Sequence, residues 1–275
     1  MKQFAERMGT LGLIACGIIL VVVLGALLAP IIAPYDPTIG SVTQRYQGMS
    51  AEHWFGTDQA GRDIFSRLVW GARSSLTGPL IVVVITAIFG TTIALTAVWF
   101  GGFVDSALSR VLDLLFAFPN LLLAMLAIAV FGPSLTTAAL ALAVAYIPYS
   151  ARVVRSMAMR ERNLPYIRSP ELQGIPGAVI TVRHLLPNVA PLIVTGATIN
   201  FGFAMIELAA LSFLGLGVQP PEADWGLMVS NGQQSLLNGY PAESVLAGLS
   251  IVITVAAVGY VGERLGGRAA AGRKA

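Results

Sequence analysis

Charge is scarce in this chain. Asp, Glu, Lys and Arg make up 11% of its 275 residues, while 56% are hydrophobic and the mean hydropathy is +0.76. An ordinary soluble domain carries about 25% charged residues, so the deficit excludes one. Lysine is nearly absent, with Lys2 and Lys274 standing at the two ends. A phosphate-binding loop of the form G-x-x-x-x-G-K-S/T needs a lysine that reaches the β and γ phosphates, so no such engine resides here. Cysteine is reduced to Cys16, which excludes an intrachain disulfide and reads as a small apolar side chain within an apolar run. The two histidines, His53 and His184, lie far apart. Zinc wants three or four N, S or O ligands, so no metal centre is expected. The same scarcity leaves no nucleophile–base pair and no catalytic residue to assign. The net charge of +3 does not point to nucleic acid, because the arginines flank apolar runs.

What the chain has instead is apolar length. A bilayer-crossing helix takes about 20 apolar residues, and runs of that order fall at 11–32, 75–100, 110–131, 135–154, 189–213 and 244–262. The first follows Lys2 and Arg7 but is too long for a secretory signal, and Pro30 and Pro34 stand where a cleavage site would lie. It reads as a retained anchor. Pro79, Pro119 and Pro148 sit in or beside the runs, which membrane helices tolerate when neighbours satisfy the freed carbonyls. The expected fold is therefore all-α and integral to the membrane, with six transmembrane helices.

Arginine placement orients it. The connection 152–187 holds Arg152, Arg155, Arg160, Arg162, Arg168 and Arg183, and the C-terminus holds Arg264, Arg268, Arg273 and Lys274. The connection 214–244 has no Lys or Arg, and 33–74 balances four acids against four arginines. The positive-inside rule then predicts 152–187 and both termini in the cytoplasm. Three regions follow: 1–74 with tail, first helix and outer connection; 75–265 as a five-helix core; and 266–275 as a cytoplasmic tail.

Within 152–187, Ser169 reads as an N-cap, Pro170 as the first helical residue and Glu171 as an acid at the positive helix end. Gly174 fits the position just past a helix C-terminus. A very short helix is expected over 168–174, followed by an amphipathic stretch to Leu186 with Arg183 and His184 at the interface. Among charges inside the spans, which are costly and often functional, Glu207 stands near the outer end of the fifth. It faces either a transport pathway or a neighbouring helix, with Ser212 or Asn200 as local partners. Asn200 and Asn120 are lesser candidates of the same kind. Asp113 is expected to pair with Arg110. Asp58, Arg62, Asp63 and Arg67 read either as an exposed, mutually paired set available to an outer partner or as capping charges for the second span. Trp54 and Trp70 suit interface anchors.

Several strings resemble one family. Tyr166, Gly174 and Arg183-His184-Leu185-Leu186-Pro187-Asn188 keep the spacing of the EAA loop of ABC importer permeases. The Glu-Ala-Ala positions themselves fall on Arg168, Ser169 and Pro170, reversing a charge and introducing a proline. His53-Trp54-Phe55-Gly56-Thr57-Asp58 with Gly61-Arg62-Asp63, and Leu211-Ser212-Phe213-Leu214-Gly215-Leu216-Gly217-Val218-Gln219-Pro220-Pro221, are similar to segments of the C-type permease of dipeptide, oligopeptide and nickel importers. That resemblance covers about 10–265. It implies a six-helix type I importer fold in a bacterial inner membrane, forming half of a translocation pathway. It also implies a second, distinct permease, two ATPase subunits that use ATP and Mg, and an extracytoplasmic substrate-binding protein. Tyr166, Arg168, Ser169, Pro170, Glu171, Gly174, Arg183 and Pro187 would form the ATPase-docking element. This chain itself would bind no cofactor. Short peptides lead among the implied solutes, with nickel chelates, glutathione and oligosaccharides as alternatives. An ion-coupled secondary transporter would instead favour inverted repeats, and no internal repeat is evident.

Overall fold

A computed structural model describes residues 2–271 and the side chains of 9–264. Every regular element among them is helical. Helix α1 (Lys2–Leu27) is broken at Gly9, leaving Gly9–Leu27 as the apolar stretch. A single turn at Ala29–Ile32 follows, with Pro30 in its first positions, and then a loop with one 3₁₀ turn at Val42–Gln44.

Helix α2 (Ile64–Phe100) starts well before the expected Ser75, because Asp63 caps it by accepting the Ser66 N–H at 2.8 Å. The 74/75 boundary thus lies inside one continuous helix. At 1.5 Å per residue its 37 residues run about 55 Å, beyond the ~30 Å hydrocarbon core. The span expected over 110–131 is two helices, α3 (Gly102–Phe116) and α4 (Asn120–Phe131), bent by 82°. Pro119 stands immediately before α4, where its missing N–H and fixed φ suit a helix start and interrupt continuation. Among the described residues five helices are long and apolar enough to cross a membrane, and counting this bent pair as one span brings the number to six.

Helix α5 (Leu135–Arg162) begins at a Ser134 cap and packs along α2 through Ala138, Ala139, Leu142, Ala143 and Tyr146, all buried with Val82. Small side chains let the backbones approach where apolar burial between helices supplies little drive. Helix α6 (Pro165–Leu172) is short. Helix α7 (Gly177–Phe213) passes through a π turn at Thr181–Leu185, with the Leu186 N–H bonding back to Thr181. Pro187 follows at once, so the wider turn accommodates a position that has no N–H to give. The amphipathic stretch and the fifth span are thus one continuous helix.

Helix α8 (Trp225–Leu237) lies in what the sequence presents as a connection, and α9 (Ala242–Ala271) closes the fold. Of the tail expected over 266–275, residues 272–275, with Arg273 and Lys274, lie outside those described. Helix α2 is the hub, packed against α1, α5 and α7, while α9 packs on α1, α7 and α8.

Candidate functional site

The first element of interest grows from the end of α5. Arg162 donates to the carbonyls of Val98 and Trp99 at the end of α2, and its guanidinium lies 4.7 Å from the centre of the Trp99 ring. The chain then breaks, and Pro165 opens α6 with Leu164 held extended before it. Ile167 is fully buried among Val154, Ala158, Ile180, Leu185 and Val189. Glu161 accepts the Tyr166 hydroxyl at 2.5 Å, and Arg162 lies 3.8 Å from Glu171.

Ser169 is therefore not the cap and Pro170 not the first residue; both lie inside the helix, and Glu171 is near its C-terminal end. Ile167 can be buried only if the helix starts upstream, and Pro165 permits that start. Gly174 does close the helix, at φ 78°, with Ile175 N–H bonding to Pro170 and Gly174 N–H to Glu171. This pair of bonds satisfies carbonyls that the helix end leaves free. At Gly177, the first residue of α7, a Cβ would run into the Trp99 indole, so the chain leaving the hairpin lies close against the end of α2. The projecting face is exposed: Tyr166, Arg168, Ser169 and Glu171, with Leu172 89% exposed. Arg183 and Pro187 are exposed further along, at the root of α7.

Behind the hairpin a cavity of about 670 Å³ reaches from Arg168 and Leu172 to Gly102 and Asp105 of α3. Helix α3 is clamped to α5 there. Arg155 holds Asp105 through both its Nε (2.6 Å) and Nη2 (2.5 Å), and Arg152 meets Asp113 at 2.6 Å. Asp113 thus pairs across helices rather than with Arg110. Arg152 also lies 4.2 Å from the centre of the Phe116 ring.

The second element is a cavity of about 640 Å³ between the α3–α4 elbow, α5 and α7. Residues 199, 200, 203 and 207 share one face of α7, so Asn200 and Glu207 enter the same space. Asn120 comes from the elbow and Tyr146 from α5, and both engage the Glu207 carboxylate. These, and not Ser212, are its neighbours; Ser212 accepts from the Val218 N–H. Tyr146 is not legible in the sequence, where a tyrosine in an alanine-rich helix carries no charge signal.

The third element corrects an expectation. Asp58, Arg62, Asp63 and Arg67 are buried, not displayed. Asp58 takes Arg62 Nε at 2.6 Å and lies 3.5 Å from Arg67 Nε. Asp63 pairs with His53 at 2.9 Å while capping α2. Arg67 donates to the Pro37 carbonyl and lies 4.0 Å from Glu243 at the start of α9. Nearby, Asp224 caps α8 and takes the Ser75 hydroxyl at 2.7 Å. Burial pushes the Asp224 carboxyl up from the usual carboxylate range, against these donors, which favour its charged form. The set knits the 33–63 loop, α2, α8 and α9 together. Its charges face one another inside the protein and not the surface, and Asp63 caps α2, so the capping reading of the sequence is the one the geometry supports.

Comparison with known proteins follows the same lines. Residues 87–267 match the family described as binding-protein-dependent transport system inner membrane component, and residues 9–51 match the N-terminal transmembrane domain of oligopeptide transport permease C. The chain is 40% identical to the dipeptide transport system permease protein DppC of Alkalihalophilus pseudofirmus, over 96% of this chain and 86% of that protein. Identity is 39% to the DppC of Haemophilus influenzae, over 84% and 79%. It is 35% to the glutathione transport system permease protein GsiD of Pectobacterium atrosepticum, over 92% and 84%. With the helical bundle and its six-span count, these matches make the chain a permease that belongs to the family of binding-protein-dependent transport system inner membrane components.

Proposed function

We propose that this permease forms half of the pathway of an ATP-driven importer for short peptides, and that the α6 hairpin docks the ATPase that drives it. The hairpin carries the reading: a buried root at Ile167 holds out a face whose apolar tip, Leu172, is left uncovered by the described residues. Arg168, Ser169 and Pro170 stand beside that tip in place of the family's usual Glu-Ala-Ala, with Glu171 after them, so a partner surface shaped to this chain is required. Peptide as solute is supported by the dipeptide permeases among the relatives.

In this reading a second, distinct permease completes the pathway, two ATPase subunits use ATP and Mg, and a substrate-binding protein delivers solute from outside. The hairpin and both termini face the cytoplasm of a bacterial cell, as the arginine distribution requires. Coupling has a physical route. A push on α6 reaches α5, the end of α2 and α3, because Arg162 meets Glu171 and the Val98 and Trp99 carbonyls while the two Arg–Asp clamps join α5 to both ends of α3. Helix α3 ends at the elbow that walls the Glu207 cavity. Displacing the hairpin therefore moves one wall of the pathway against the other.

The test is Leu172→Asp, a change at a site too exposed to affect folding. Co-purification of the ATPase subunits from native lipid should fall at least tenfold, and dipeptide uptake with it, while the permease remains in the membrane at normal level. Full retention of both ATPase and uptake would refute the docking role. If the wild-type complex carries glutathione and no simple dipeptide, the solute assignment moves to the chemistry named for the GsiD relative.

A further inference from the structure

The cavity between the elbow, α5 and α7 contains one acid and no base. Among its lining residues Glu207 alone is ionised at neutral pH in its ordinary form; no Lys or Arg contributes. Arg152, which stacks on Phe116 at the rim, is already committed to Asp113. Glu207 Oε2 is shut off from solvent and accepts no hydrogen bond, although Tyr146 and Asn120 bear on the carboxylate. A carboxylate oxygen left unpaired away from water is strongly disfavoured unless a cation or a proton meets it. The walls choose between these. Phe118 and Phe203, each 58% exposed in the single chain, offer aromatic faces around the acid. Aromatic faces attract organic cations and do nothing for a proton already bound. A divalent metal would ask for several oxygen ligands in addition to one carboxylate, and the cavity supplies a single acid.

We infer that Glu207, with Asn120 and Asn200 beside it, is the subsite for the substrate's positively charged amino terminus as the peptide crosses. This rests on the peptide reading above and adds which end of the peptide the permease grips. An ammonium brings a positive charge and three donors: the charge compensates the Glu207 carboxylate from the cavity side, and the amide oxygens of Asn120 and Asn200 stand in the same space for the donors. The rest of the peptide, apolar side chains included, lies against the phenylalanine walls. The site discriminates against any solute whose amine is acylated, because acylation removes both the charge and two of the donors.

The experiment uses the assembled transporter in nanodiscs, without the binding protein, so that the only recognition measured is the permease's own. Saturation-transfer NMR compares Ala-Phe with N-acetyl-Ala-Phe on wild type, Glu207→Gln and Glu207→Asp. Wild type should bind Ala-Phe at least tenfold better than its acetylated form. Glu207→Gln, which keeps size and hydrogen bonding but not charge, should lose that preference, and Glu207→Asp should keep most of it. Retention of the ATPase subunits by each variant checks assembly. Equal binding of Ala-Phe by wild type and Glu207→Gln overturns the subsite, as does equal binding of the two peptides by wild type. In either case, intact dipeptide uptake by wild type leaves the importer reading standing. Absence of dipeptide uptake by wild type overturns the peptide reading and this subsite together.

Discussion

Asp58 illustrates how much rests on single atoms in a membrane protein with few charges. Its two oxygens serve Arg62, Arg67 and two backbone N–H groups, and the side chain has no exposure to solvent. Removing one partner of a buried ionic group leaves the others uncompensated, at a cost of about 3–5 kcal/mol. Asp58→Ala should therefore lower the thermal midpoint of the purified permease sharply, whereas the exposed Glu222→Ala should leave it unchanged. Asp224 separates cap from charge. Asn is as good an N-cap as Asp, and burial already works against the Asp224 charge. Asp224→Asn should be neutral or slightly stabilising, while Asp224→Ala should cost about 1–2 kcal/mol by freeing Leu227 N–H and the Ser75 hydroxyl. Thermal denaturation of both variants, read side by side, decides whether hydrogen bonding or charge holds this corner.

Among the elements, the broken span is where transport and packing meet. Arg155 and Asp105 are only partly exposed, and their two-point contact fixes α3 against α5 about two turns from the Arg152–Asp113 pair. Arg155→Gln should leave ATPase docking intact but weaken its consequence: substrate-stimulated ATP hydrolysis and uptake should drop several-fold while co-purification stays at the wild-type level. A parallel loss of docking would show that the clamp supports the hairpin rather than the elbow.

The elements also show what a sequence displays and what it hides. Spans such as α1 and α5 are plain because apolar length has few other uses. Glu207 and Asn200 could be picked out because polar groups in apolar runs stand out, and the structure brings them to one cavity. The start of α6 misleads because Ser169-Pro170-Glu171 satisfies local capping rules, while the deciding fact, Ile167 reaching the core, belongs to tertiary packing. Helix α8 hides in a stretch rich in Gly, Gln and Asn. Its one readable signal is the Asp224 cap before Trp225 and Met228, both buried. The outer charges look like display because Asp and Arg usually are; only their partners in α9 and the 33–63 loop make them internal.

Across the whole molecule, the two ends of the bundle are built on opposite plans. One end holds out the α6 hairpin, an exposed knob with an apolar tip; the other is sealed by ion pairs turned inward. Helix α2 runs between them, capped at Asp63 and gripped at Trp99 by Arg162.

The Arg67–Glu243 approach has a consequence in time. Arg67 enters the membrane early in synthesis, while Glu243 lies at the start of the final helix. At about 5–20 residues per second, Asp58 and Arg67 wait roughly 10–35 s for that carboxylate to be made. Until then the Arg67 guanidinium has Asp58 beside it but lacks its second acid, so the buried cluster is complete only once the start of α9 has been made. Chains truncated before residue 242 should consequently be cleared from the membrane faster than the full-length chain, and Arg67→Met should lengthen their lifetime.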